Sequence, residues 1–260
     1  TQGGAIVLGL IRPSFFGLFI SYIGGMAGAA LLILRKFSPE LKGISVRYLR
    51  LFAYKYRKFP LFNTPSAFIN NFSLQIPVYL ISAFFGADVL GLYALANRLL
   101  ATPVNLVTYS ISQVYYQRAT ESFHKGPEHL LRLYQKIVLK LATIGLIPFA
   151  LVFIIAPMAV KVILGEQWAE SGTFMQIIVI WMYFSFITVP ISTTFTVMNQ
   201  LEIPLMLRIV SLLTRFGAMY LFRSTPQEML WALSITASLY YIFYNWLIYF
   251  HLKRKVGHAG

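Results

Sequence analysis

The feature that most constrains this chain is a succession of apolar runs about twenty residues long, the length that crosses a bilayer core as a helix. Inside hydrocarbon no water is available to satisfy backbone N–H and C=O groups, so such segments must be helices or parts of a closed barrel. The runs predict transmembrane spans A (14–34), B (62–85), C (89–113), D (137–157), E (174–198), F (203–222) and G (229–250). The apolar stretch 3–10 is too short to cross alone and reads as the end of an earlier helix. Composition agrees: 58% of residues are hydrophobic and 12% charged, where soluble domains are about a quarter charged. The expected fold is an all-α integral membrane protein with about seven transmembrane helices.

With no cysteine, the chain has neither disulfides nor thiol chemistry, and its histidines (His124, His129, His251, His258) fall outside the spans. Neither a metal site nor a cofactor is expected. A net charge of +14 would suggest nucleic acid in a soluble protein. The placement of the charge excludes that reading. Of the 22 basic residues, sixteen lie in alternate segments: eight between A and B, five around the C–D connection, and Lys253, Arg254 and Lys255 in the tail. The intervening segments hold Arg12, Lys161 and Arg223. Segments rich in Lys and Arg stay cytoplasmic, which puts the C-terminus inside.

The basic A–B linker fixes orientation and contacts anionic lipid. Its stretch 41–59 also has the pattern of an amphipathic helix on the membrane surface, with Ile44, Tyr48, Leu51 and Phe52 toward lipid. Span A carries Gly17, Ser21 and Gly25 at four-residue spacing, with Gly24 and Gly28 likewise, a small-residue face suited to packing a neighbour.

Polar residues inside the spans recur at helical spacing. Span C carries Arg98, Thr102, Asn105, Tyr109 and Ser112 on one face. Span B carries Asn63, Ser66, Asn70, Ser73 and Pro77; E carries Trp181, Ser185, Thr188, Ser192 and Asn199. Span F carries Arg208, Ser211 and Arg215, and G carries Trp231, Ser234, Ser238, Tyr241 and Asn245. One such stripe is ordinary helix-to-helix hydrogen bonding; five in six consecutive spans indicate a shared hydrated cavity. Arg98 and Arg215 lie roughly 12–14 Å below a span end at 1.5 Å per residue, too deep for easy snorkelling. Arg208 is about one turn from the cytoplasmic end. A centred arginine costs about 2.5–3.5 kcal/mol on the insertion scale unless it meets water or a partner. All eight acids fall in loops or at span ends. That leaves either a carboxylate outside this chain or a mobile anion as the partner. Pro77, Pro103 and Pro190 within spans are candidate bending points.

The run KFPLFNTPSAFINNFSLQIPVYLISAFFGADVLGLYALANRLLATPVNL, with QVYYQRATE after it, GEQW at 165–168 and PISTTFTVMNQ at 190–200, resembles bacterial polysaccharide-biosynthesis flippases. These are the O-antigen type transporters of the multidrug/oligosaccharidyl-lipid/polysaccharide superfamily. The resemblance implies two six-helix lobes around a central cavity, in a bacterial inner membrane. On that map residues 1–34 end the N-terminal lobe, 35–61 are a basic inter-lobe linker, 62–250 the C-terminal lobe and 251–260 a cytoplasmic tail. The chain then reads as a piece of a longer protein whose N-terminal lobe is its partner.

The implied substrate is an oligosaccharide on polyprenyl pyrophosphate, moved from the cytoplasmic to the outer leaflet by alternating access. It would serve lipopolysaccharide or other surface glycan synthesis, with glycan polymerase machinery as a further partner. Arg98, Arg215 and Arg208 are the candidate pyrophosphate ligands, with Asn70, Asn105, Thr102 and Ser211 for phosphate or sugar hydroxyls. No enzymatic step is needed. The rivals are a cation-coupled multidrug antiporter, which would use intramembrane carboxylates, and a membrane-embedded glycan ligase or polymerase, which would need a sizeable catalytic loop. The charge distribution predicts that a reporter at Gly126 is cytoplasmic and one at Gly172 external; reverse labelling at both contradicts the orientation.

Overall fold

The computed structural model describes residues 23–33, 35, 45–57 and 59–257. The chain divides into two units, Thr1–Arg57 and Lys58–Gly260. In the first, α1 is Ile23–Ile33 and α2 is Val46–Tyr56. The space around Gly24 and Gly28 of α1 is open, as a small-residue docking face requires; Gly17 and Ser21 lie outside the described residues. Ser45 caps α2 by accepting a hydrogen bond from the Arg47 N–H at 3.3 Å. Tyr48, Leu51 and Phe52 are exposed on α2, and Arg57 sits 4.2 Å over the Tyr54 ring. Ile44 lies outside the described residues.

The second unit is helical throughout its described residues. A π-helical turn, Phe59–Asn63, leads into α3, Thr64–Lys125, and α4 is Pro127–Leu164. Then come α5 (Ala169–Ile191), the single turn α6 (Thr194–Val197), α7 (Glu202–Leu221) and α8 (Pro226–Gly257). Pro127 and Pro226 open their helices, where the missing N–H costs nothing. Glu128, Glu170, Glu202 and Glu228 occupy first turns, the end of a helix dipole that favours negative charge.

At 62 residues a straight α3 would run about 93 Å, yet it folds back on itself. Ser66 meets Arg208 at 2.8 Å, while Tyr115 shares an apolar cluster with Leu207. The reversal is at Gly86 (φ 83°, ψ −174°), backbone angles that glycine alone adopts without strain. The two arms, 64–85 and 87–125, correspond to spans B and C. The helix continues through Pro77 and Pro103.

Among the described residues four helices are long and apolar enough to cross a membrane, counting α3 as one. The α8 helix has the length, with 32 residues, but its Ser, Thr, Tyr and Asn residues dilute its hydropathy.

Two connections differ from the sequence reading. The segment between C and D was expected to be a loop. Instead α3 and α4 continue as helices to within one residue of each other, turning at Gly126 (φ 125°). Hydropathy marks where a helix leaves the bilayer, not where it ends. At about 57 Å, the 38-residue α4 far exceeds a hydrocarbon core of about 30 Å. Likewise 158–173 is not an open outer loop. The α4 helix runs to Leu164, a 3₁₀ turn spans Glu166–Trp168, and Gly172 is buried inside α5. Span E, expected to be continuous to residue 198, breaks after Pro190, which lacks the N–H needed to extend the helical ladder. The hydroxyls of Ser192 and Thr194 donate to the Val189 and Ile191 carbonyls at 2.7 and 2.6 Å.

Two large apolar clusters, with a smaller one of Leu141, Phe186 and Ile187, pack the described residues of the unit. Toward Gly86, Ile76, Leu80, Ile81, Tyr93 and Leu100 pack on Phe174, Ile178, Met219 and Leu233. Toward Gly126, Tyr115, Leu130, Tyr134, Phe195, Tyr244, Ile248 and Leu252 pack together. The α8 helix continues through Gly257, so Lys253, Arg254 and Lys255 stand on its last turns, with Lys255 Nζ 5.2 Å over Phe123.

Gly172 sets the closest helix approach. A Cβ there would sit 2.6 Å from Pro157 Cα and 2.7 Å from the Ala156 carbonyl oxygen, both backbone. Gly172→Ala should therefore cost about 1–3 kcal/mol through overpacking, read as a lower Tm in detergent. Gly217→Ala, where nothing lies within 4 Å, gains helix propensity and should not lower it. Equal behaviour of the two variants contradicts the close packing. Because Gly172 is buried, the outward topology reporter belongs at exposed Gln167. In a chain with no native cysteine, Lys125→Cys should label from the cytoplasmic side and Gln167→Cys from outside.

Candidate polar cavity in the helix bundle

Between the two apolar clusters lies a polar cavity of about 120 Å³. Its walls are Asn70 and Ser73 from the first arm of α3, Thr188, Val189 and Ser192 from α5, Arg208, Ser211 and Arg215 from α7, and Tyr240, Tyr241 and Tyr244 from α8. The polar stripes of B, E, F and G thus turn toward one another. Each does so because polar residues at spacings of three, four and seven share a helix face; on α7 that buried face reads Leu207, Ser211, Arg215 and Met219, so the polar pair sits between residues that pack into the two clusters.

Arg215 is the central feature. It is 4% exposed, and its guanidinium lies 5.7–5.8 Å from the rings of Trp181, Tyr240 and Tyr241. Those ring faces attract the cation, and Trp181 stacks on Tyr241 with the rings 9° from parallel. Neither Arg215 nor Arg208 pairs with a carboxylate among the described residues, where the ion pairs Arg132–Glu128 and Lys161–Glu166 lie elsewhere. Arg208 is half-buried and donates from Nη1 to Ser66 Oγ at 2.8 Å.

Three buried polar atoms around the cavity lack a protein partner: Arg215 Nε, Trp181 Nε1 and Ser73 Oγ. All three carry hydrogens to donate. Orphaned donors of this kind cost about 1–3 kcal/mol each unless something fills the site. The deficit is one of acceptors, and the lining holds two cations and no acid. Such a site takes an anion rich in acceptor oxygens. Its volume of about 120 Å³ is below the ~300–1,000 Å³ typical of drug-sized ligands, room for a small anionic group and not for a whole glycan.

On the Gly126 side, the floor is tied down by inter-helix hydrogen bonds. Tyr115 and Thr194 share one at 2.6 Å, Tyr134 donates to the Asn245 carbonyl at 2.8 Å, and Asn245 donates to Thr188. On the Gly86 side Ser234 donates to the Ile177 carbonyl at 2.8 Å.

Of the seven residues proposed from sequence, Arg208, Arg215, Asn70 and Ser211 line this cavity. Arg98, Thr102 and Asn105 do not: with Tyr109 they form a continuous stripe on the exposed face of α3, and the Thr102 hydroxyl donates to the Arg98 carbonyl at 2.8 Å. Periodicity put these residues on one face but carried no information about the direction of that face. Tyr240 and Tyr244 escaped the sequence reading because they lie off the Ser234–Ser238–Tyr241 line. Their adjacency to Tyr241 in a tyrosine-rich segment was the available signal.

Residues 5–173 match the family described as "Polysaccharide biosynthesis protein". Over 127 residues the chain is 26% identical to the Amylovoran biosynthesis protein AmsL of Erwinia amylovora, a match covering 49% of this chain but only 32% of that protein. Among solved structures, a crystal structure of a MATE mutant superposes with a TM-score of 0.70 at 14% identity, over 98% of this chain and 61% of that one. At that identity the likeness concerns the fold alone. The family match covers most of the chain, so the chain belongs to the polysaccharide biosynthesis protein family.

Proposed function

We propose that this chain forms the C-terminal lobe, with the preceding helix and linker, of a flippase for oligosaccharides carried on polyprenyl pyrophosphate. In this reading the cavity binds the pyrophosphate. The observation that carries it is buried Arg215, unpaired with any described carboxylate, whose Nε has no hydrogen-bond partner, near Trp181 Nε1 and Ser73 Oγ, which have none either. A pyrophosphate supplies charge and acceptor oxygens together, and arginine's planar fork matches phosphate geometry. Arg208, at the Gly126 side of the site, is placed to meet the substrate first from the cytoplasm.

The exposed stripe Arg98, Thr102, Asn105 and Tyr109 faces the cleft toward the companion lobe, where it meets the sugars. An arginine left to lipid at that depth would cost about 2.5–3.5 kcal/mol. Rocking of the two lobes about the bound head group carries it across, with no covalent step. The lobe is multi-pass in the inner membrane, with its tail in the cytoplasm. A cation-coupled antiporter is the weaker reading, because a cation site needs negative charge and this cavity is lined by two arginines and no acid.

Titrating the purified chain with inorganic pyrophosphate tests the site directly. Wild type should bind, and Arg215→Ala should weaken binding roughly 10–100-fold, the value of a lost charge-assisted contact. Arg215→Lys, which keeps the charge without the fork, should fall between. In the full transporter the same order should appear in export of the lipid-linked glycan. Pyrophosphate affinity unchanged by Arg215→Ala overturns the assignment. An Arg215→Ala protein that is scarce in cells and recovers when an acid is neutralised instead gives Arg215 a structural role.

A further inference from the structure

A second cavity, of about 390 Å³, opens on the flank of the bundle between the second arm of α3 and α4. These helices are joined by a single residue, Gly126, yet farther along they diverge enough that Phe186 of α5 forms part of the groove's floor. The wall is almost wholly apolar, with Val107, Ile111, Val114, Ile137 and Ile144 among its residues. Two cations, Arg118 and Lys140, break the pattern, and no acid lines the groove. Both are exposed and neither belongs to an ion pair among the described residues.

The two cations work as a pair. Helical side chains lean toward their helix's N-terminus. Arg118 on α3 thus leans into the groove, and Lys140 on α4 leans back toward the Gly126 end. The helices run antiparallel, so the two lean toward each other. From Val107 to Arg118 is eleven residues, about 16.5 Å at 1.5 Å each, close to half of a ~30 Å hydrocarbon core. The groove's run is thus comparable to one leaflet, apolar along its length, with Arg118 at its Gly126 end and Lys140 six residues farther from Gly126, its side chain leaning back toward that end.

We propose that this groove is a binding site for an anionic phospholipid of the leaflet on the Gly126 side. One acyl chain lies between α3 and α4 over Phe186, and the phosphate sits between Arg118 and Lys140. Basic pockets between transmembrane helices select anionic head groups in this way. The bound chain fills the apolar gap that the diverging helices leave, holding the hairpin against α5. This site is separate from the polar cavity, and its test does not depend on transport.

The absence of native cysteine makes the test direct. Ser110→Cys, in the groove wall, and Ile147→Cys, exposed on α4 outside it, are each labelled with bimane. The full chain is reconstituted in phosphatidylcholine vesicles containing brominated phosphatidylglycerol or brominated phosphatidylcholine as quencher. At Ser110→Cys the anionic lipid should be enriched on the order of tenfold or more, the value expected of two basic side chains near a membrane surface. At Ile147→Cys the lipids should quench alike. Arg118→Gln with Lys140→Gln should remove the preference, and Ile111→Trp, which fills the groove and keeps both charges, should reduce it. Equal quenching by both lipids at Ser110→Cys overturns the proposal, as does a preference that survives loss of both cations. A disulfide dimer through Ser110→Cys that excludes both lipids would assign the groove to a second copy of the chain and also overturn it.

Discussion

Every backbone N–H and C=O inside hydrocarbon must find its partner within its own segment or a neighbour, and this requirement shapes the second unit throughout. It makes each span a helix and confines reversals to residues that end one abruptly. Gly86, Gly126 and Gly165 all have positive φ, and each stands between consecutive helical segments. Near Pro190, where α5 ends, the hydroxyls of Ser192 and Thr194 add hydrogen bonds to the Val189 and Ile191 carbonyls.

Polarity is arranged in layers along the bundle. An apolar cluster toward Gly86 and another toward Gly126 carry the packing, and the polar cavity lies between them. This layering isolates Arg215 from bulk water, so its interaction with aromatic rings and with any anion acts at lower dielectric than at a surface. The same isolation makes unpartnered donors expensive, and a bundle built only for stability would have placed apolar residues there. Buried cations without described carboxylates, in a family of polysaccharide biosynthesis proteins, fit a site that trades stability for affinity toward an anion.

The hairpin of α3 and α4 reaches well beyond the bilayer core, and its end is fastened to α8. Tyr134 bonds Asn245, and Leu252 is fully buried in the cluster with Tyr115 and Leu130. Because α8 also supplies Tyr240, Tyr241 and Tyr244 to the cavity, one rigid helix links the projecting hairpin to the site. Close approach of α4 and α5 at Gly172 fixes the other side of that frame.

Much of this was legible in the sequence for simple reasons. Apolar run length reports the membrane-spanning helices, and the Gly-Ala-Asp break after residue 85 separates two spans. Arg215 was identifiable because a cation at that depth needs a partner wherever its helix faces; the same argument named Arg98, whose face turns outward. The direction of a helical face was not legible. The stripes of spans B, E, F and G converge while the stripe with Arg98, Thr102 and Asn105 faces outward. The sequence alone determined which residues share a face, because helical periodicity is a local property of the backbone. Only the tertiary structure decided which faces meet, because the rotation of each helix is set by packing against neighbours distant in the chain.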